Sequence, residues 1–159
     1  MKSQIAVITA VLAVTSSLMG SVEFLVGVEG PAREPEFNKT QEWFGLQYTH
    51  EEPVFEAFHV YAKALVGSNS SSEFLIAGGL SYFWMPFDTV EDFQIRIQTG
   101  PSYTEVGSPH TGTEINWTTD LTLEYKDFFI GYSHTSNGGL GNPNSGLDMV
   151  LLGYSLSWN

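Results

Sequence analysis

Apolar and polar residues alternate with a period of two along most of the chain beyond its opening segment, and no sustained helical period competes with that pattern. Phe93, Ile95 and Ile97 oppose Gln94, Arg96 and Gln98. Ile115, Trp117, Leu121, Leu123 and Tyr125 oppose Asn116, Thr118, Asp120, Thr122 and Glu124, and Phe58, Val60, Ala62, Ala64 and Val66 oppose His59, Tyr61 and Lys63. Successive side chains of a strand point to opposite faces, so each run has one apolar and one polar side. Eight candidate strands follow, at about 21–30, 41–51, 54–66, 73–85, 91–100, 113–125, 127–137 and 147–158. Most reach the roughly 9 to 11 residues that a tilted strand needs to cross a bilayer. The expected fold is all-β, an eight-stranded antiparallel up-and-down transmembrane β-barrel. A soluble sandwich or a lipocalin-like barrel alternates in the same way with its apolar face inside, so the period alone does not separate them.

Other features favour the membrane. The chain opens with Met1, Lys2, Ser3 and Gln4, continues through the apolar run Ile5 to Val14, and turns small and polar around Thr15 to Ser21. That is the layout of a secretory signal peptide, too short to span a bilayer as a helix. The expected division is a signal peptide over 1–20, cleaved somewhere between 17 and 21, and a barrel over 21–159. Links rich in Gly, Pro, Ser and Asn (31–39, 67–72, 101–112 and 138–146) alternate with shorter ones (50–53, 86–90 and 126–127). In a barrel with both termini in the periplasm the longer links are extracellular and the shorter ones periplasmic. Arg96, Glu114, Asp120 and Glu124 suit a narrow lumen filled by charged pairs, because eight strands leave room for side chains and no open pore.

The formal charge of −12, from 18 acidic and 6 basic residues, argues against a nucleic-acid partner or simple electrostatic attraction to anionic lipid. An acidic surface can still meet a phosphorylated lipid through bridging divalent cations. Without cysteine there is no disulfide framework, thiolate metal site or lipoprotein anchor. The scattered loop carboxylates do not make a metal site, and no cofactor is expected.

Two strand-like segments near the C-terminus carry polar residues on their apolar side. Phe128, Ile130 and Tyr132 are in phase with His134 and Ser136, and Asp148 is in phase with Val150, Leu152, Tyr154, Leu156 and Trp158. An ionisable group on such a face costs several kcal/mol unless it is paired. Nucleophilic catalysis explains the placement. Residues two apart on one strand face have Cα atoms roughly 6.5 to 7 Å apart, so the His134 imidazole can reach the Ser136 hydroxyl as its general base. Asp148, on the neighbouring antiparallel strand, can hold the other ring nitrogen. Asn137, Asn144 and the backbone amides of Gly138 and Gly139 are available to a developing oxyanion. The plainer alternative is that Ser136 and His134 only anchor a loop or contact headgroups.

At these residues the chain resembles a family. Gly131-Tyr132-Ser133-His134-Thr135-Ser136-Asn137-Gly138-Gly139, followed by Asn142-Pro143-Asn144-Ser145-Gly146-Leu147-Asp148, is similar to the signature of the PagL-type lipid A deacylases. That signature reads His-x-Ser-Asn, a short Gly-containing loop, Pro-Asn-x-Gly and an acidic residue. The resemblance implies an eight-stranded outer-membrane barrel with a Ser/His/acid esterase site on its outer wall, which removes the ester-linked acyl chain from the 3-position of lipid A. It implies His134 as base, Ser136 as nucleophile and Asp148 as acid, with Asn137 and Asn144 near the oxyanion. Asp148 stands where Glu is known in the family, and the shorter side chain has to approach the imidazole through backbone placement or a water.

The resulting expectation is a lipid A 3-O-deacylase of a bacterial-type outer membrane, acting on lipopolysaccharide through an acyl-enzyme, with its site in the outer leaflet. Its acyl chain would lie along Phe128, Ile130, Tyr132, Leu152 and Tyr154. The rivals are a non-enzymatic barrel that serves adhesion or membrane stability, and a soluble barrel that binds lipid inside. The oligomeric state stays open, a homodimer included.

Overall fold

The alternating segments become eight antiparallel strands in a computed structural model that describes residues 20–30, 41–68, 73–86, 92–104, 111–140 and 146–157. They are β1 (Gly20–Glu29), β2 (Glu42–His50), β3 (Phe58–Gly67), β4 (Phe74–Trp84), β5 (Phe93–Thr104), β6 (Ile115–Tyr125), β7 (Phe128–Ser136) and β8 (Leu147–Ser157). Each pairs with the next in sequence, and β1 closes on β8 from Ser21↔Ser157 to Glu29↔Met149. Closure removes the unpaired strand edges that an open sheet would expose. The signal-peptide segment 1–19 and Asn144 lie outside the described residues.

Two boundaries differ from the sequence reading. β3 begins at Phe58 rather than 54. Glu56 takes a left-handed backbone (φ 50°), and Val54 N–H donates to Phe58 O while Phe58 N–H donates to Phe55 O, which closes a turn before the strand starts. β5 runs through Pro101 to Thr104, where a link was expected from Pro101 onward. Proline cannot donate to a ladder and usually marks a strand's end. Here β4 and β5 meet by bare backbone at that level. A Cβ on Gly79 would lie 2.2 Å from Thr99 O, and one on Gly100 would lie 2.2 Å from Gly78 O. Pairing is regular on either side, at Ala77↔Ser102 and Leu80↔Thr99. The links are therefore 30–41, 51–57, 68–73, 85–92, 105–114, 126–127 and 137–146, and 68–73 is no longer than the links before and after it. Strict alternation of long and short fails there.

The apolar side of the strands is outside. Phe24, Val26, Val28, Leu121, Leu123, Val150 and Leu152 are each roughly half exposed, while Arg96, Glu23, Lys63, Asp120 and Gln98 are buried inside the wall. This excludes a soluble barrel with lipid in its lumen, because the lumen is filled. Toward the 137–146 end it is packed by Trp43, Leu65, Leu75, Met149 and Leu151. Beyond these lies a charged layer. Glu23 takes both terminal nitrogens of Arg96, and Arg96 Nε lies 2.6 Å from Glu124 Oε1. Gln47 and Gln94 donate to the same two carboxylates, and Lys63 Nζ meets Asp120 Oδ2 at 2.5 Å. The Arg96 guanidinium also lies 5.0 Å from the Phe129 ring centroid. Glu114, expected in this lumen, is instead exposed at the end of the 105–114 link.

A buried ion pair adds little net stability, but removing one partner strands the other. Arg96→Met should leave the carboxylates of Glu23 and Glu124 without their cation and cost about 3–5 kcal/mol. The midpoint of urea refolding in detergent reads this directly, and an unchanged midpoint would show the cluster to be dispensable.

Candidate active site

β7 and β8 are antiparallel neighbours in a register that sets His134 directly opposite Asp148. With Cα atoms paired, the short aspartate reaches the ring without help: His134 Nδ1 lies 2.7 Å from Asp148 Oδ1. Backbone placement thus makes up for the missing methylene. An ionised carboxylate only accepts, so Nδ1 bears the hydrogen and Nε2 presents its lone pair. Both side chains are about two-fifths exposed (43% and 41%) on the outer wall. Ser136 follows on the same face of β7, at the strand's end and opposite Trp117 of β6. Among the described residues no hydrogen bond joins Ser136 to His134. Such contacts are often long before substrate binds.

Tyr132 has a part that its apolar neighbours hid. Its hydroxyl donates to Asp148 Oδ1 at 2.5 Å, the same oxygen that takes His134 Nδ1. Two donors from one strand therefore converge on one carboxylate oxygen. Tyr132 also keeps its expected place in the strip of outward residues below the site. Phe128↔Tyr154, Ile130↔Leu152 and Tyr132↔Val150 are successive pairs, with the Phe128 and Tyr154 rings 4.9 Å apart edge to face. Phe128 to His134 spans roughly 20 Å at about 3.3 Å per residue. The strip is continuous and exposed, which suits an extended apolar chain.

The 137–146 link is braced at both ends. Asn137 is buried and its Nδ2 donates to Thr111 O, which ties this link to 105–114, while its Oδ1 accepts the Gly139 N–H at 2.8 Å. The Leu140 N–H closes the turn on Asn137 O at 3.2 Å, with Gly138 and Gly139 both at positive φ. Of the oxyanion donors expected from sequence, Asn137 and the Gly139 amide are thus engaged in supporting the turn. At the other end Gly146 sits at φ +75°, and a Cβ there would lie 2.7 Å from His134 Cε1. Only glycine combines that backbone with room for the imidazole. The Asp148 carbonyl accepts the Gly30 N–H at 2.9 Å, which fixes β8 to the 30–41 link.

Fold and geometry together define a class: a closed barrel whose lumen is packed with side chains and whose outer wall carries His134 against Asp148, with Ser136 next on the same strand face. A profile of the lipid A 3-O-deacylase (PagL) family matches residues 33–157, and the chain belongs to that family. Among solved structures it is similar to one described as the crystal structure of the outer membrane enzyme PagL, at 16% sequence identity and a TM-score of 0.60. The likeness covers 87% of this chain and 99% of that one. A search of curated proteins returned no match.

Proposed function

We propose that this protein is an outer-membrane esterase that removes the 3-O-linked acyl chain of lipid A by covalent catalysis. The observation that carries the reading is the His134–Asp148 contact at 2.7 Å on the outer wall, with Ser136 next on the same strand face. Ser136 Oγ attacks the ester carbonyl and its proton passes to His134 Nε2. The tetrahedral intermediate collapses, the C–O bond to the sugar breaks, and the sugar oxygen takes the proton back from His134. Water, deprotonated by the same imidazole, then releases the fatty acid from Ser136. Asp148 holds the ring and stabilises the imidazolium. The Gly138 amide is a described backbone donor at the turn for the oxyanion, and the family pattern gives Asn144 a supporting role there.

The wall supplies the rest. The apolar strip on β7 and β8 holds the acyl chain along the strands, so the ester lies level with Ser136. This arrangement needs the 137–146 end of the barrel in the outer leaflet, and export through the signal peptide over 1–20. Mass spectrometry of lipid A from cells that express the protein tests the reading. Loss of one ester-linked acyl chain, absent with the Ser136→Ala variant, is the expected result, and unchanged lipid A with the wild type overturns it.

Tyr132 is assigned as a positioning residue for Asp148. Loss of a hydrogen bond to a charged group is worth about 1.5–3 kcal/mol, so Tyr132→Phe should lower kcat by about tenfold or more. The ring remains for the acyl chain, and KM should change little. A loss confined to KM would leave Tyr132 with the groove alone.

A further inference from the structure

The lumen changes character behind the proposed catalytic residues. Toward the 137–146 end, β4 and β8 pack it with apolar side chains such as Leu75 and Met149, whereas the side of β5, β6 and β7 buries Thr104, Thr111, Asn116, Thr118, Thr135 and Asn137. Thr118 and Thr135 are cross-strand partners with hydroxyl oxygens 2.7 Å apart, and Thr135 stands between His134 and Ser136 in the chain. Apolar side chains would fill the same volume without the cost of burying hydroxyls and amides. What they do not supply is direction. A satisfied polar network fixes the orientation of the backbones it joins.

The partners fix the direction of the bonds. Asn116 Nδ2 lies 2.8 Å from Thr104 Oγ1, 3.0 Å from Thr113 O and 3.1 Å from Glu114 O. Two of these are backbone carbonyls, which only accept, so Asn116 turns its NH₂ group toward them. Thr104 Oγ1 takes one Asn116 hydrogen and has its own to give, to Thr111 Oγ1 or to Thr113 O, each at 3.3 Å. Thr111 Oγ1 donates to the same Thr113 carbonyl at 3.0 Å. The Thr111 carbonyl in turn accepts from Asn137 Nδ2, while Asn137 Oδ1 accepts the Gly139 N–H at 2.8 Å. Flipping the Asn137 amide would break both bonds. One run of bonds thus starts on β6 and ends on the turn that follows Ser136.

Resting on the deacylase reading, we infer that Asn116 is a positioning residue for the reaction. Through Thr104, Thr111 and Asn137 it holds the turn after Ser136, and so sets where the Gly138 amide lies relative to the Ser136 hydroxyl. Asn116 is buried on the lumen side of β6, away from the outer wall, so it acts on turnover and not on lipid binding. A misplaced turn weakens the developing oxyanion's partner, which matters more in the transition state than in the ground state.

The test measures kcat and KM on lipid A in detergent for refolded wild type, Asn116→Ala, Thr104→Val, Thr104→Ser, Asn137→Ala and the double variant Asn116→Ala/Asn137→Ala. Heat-modifiable gel migration is the folding check. Asn116→Ala and Thr104→Val should each lower kcat by about tenfold with KM within about twofold of wild type, because misplacement costs rate and not ground-state binding. Thr104→Ser keeps the hydroxyl and should keep at least about half of the wild-type kcat. The double variant should be no slower than Asn137→Ala, since a residue that acts through another adds nothing once that other is gone. If Asn116→Ala does not fold, Thr104→Val against Thr104→Ser carries the comparison. An active wild type whose folded variants keep full kcat, lose only in KM, or multiply their losses in the double variant overturns the positioning role alone. A wild type inactive on lipid A overturns the deacylase reading and this role with it.

Discussion

Ser136→Ala and His134→Ala should each reduce release of fatty acid from lipid A by at least ~10³-fold, because residues that act as one nucleophilic unit are lost together when either is removed. Both variants should still fold. Both residues lie on the outward face of β7, and no hydrogen bond joins the Ser136 side chain to a described residue. The measurement is the initial rate of purified, refolded protein on lipid A in detergent, beside heat-modifiable migration on gels. Near-normal turnover by either folded variant would remove the assigned roles.

Asp148→Asn should keep the barrel and lose ~10²–10⁴ of turnover. An amide cannot stabilise the imidazolium, and its NH₂ group can select the wrong ring tautomer. Asp148→Glu is the informative companion. In this register the aspartate already meets His134 directly, so glutamate restores no missing contact. It should stay within about tenfold of wild type, as expected when charge is kept and only placement changes. Equal rates for Asp, Asn and Glu would show that position 148 takes no part and that the acid lies elsewhere.

What could be read from sequence divides along the range of the interactions. The walls were legible because each strand carries its own period: β6 and β7 announce their outward residues by simple alternation. The approach of Asp148 to His134 was legible because it joins strands adjacent in sequence through one link. Arg96 with Glu23 was not, since it crosses the lumen between β5 and β1, which become near only after the barrel closes. Tyr132 was read as apolar lining, and nothing local shows that its hydroxyl meets an oxygen sixteen residues away. Pro101 misled because proline's local rule was applied where glycines on both strands had relaxed it.

The filled lumen and the outward site have a kinetic consequence. On the proposed reading the side chains that pack the described lumen leave substrate no route to Ser136 through the barrel, so enzyme and lipid meet by sliding past one another in a plane. The quantity that sets the rate is then the mole fraction of substrate among the amphiphiles around the wall, not its amount per volume. Inert detergent or lipid added at constant total substrate should slow turnover in proportion to the dilution. A Michaelis constant for this chain belongs in surface units, and values from different micelles become comparable only once expressed that way.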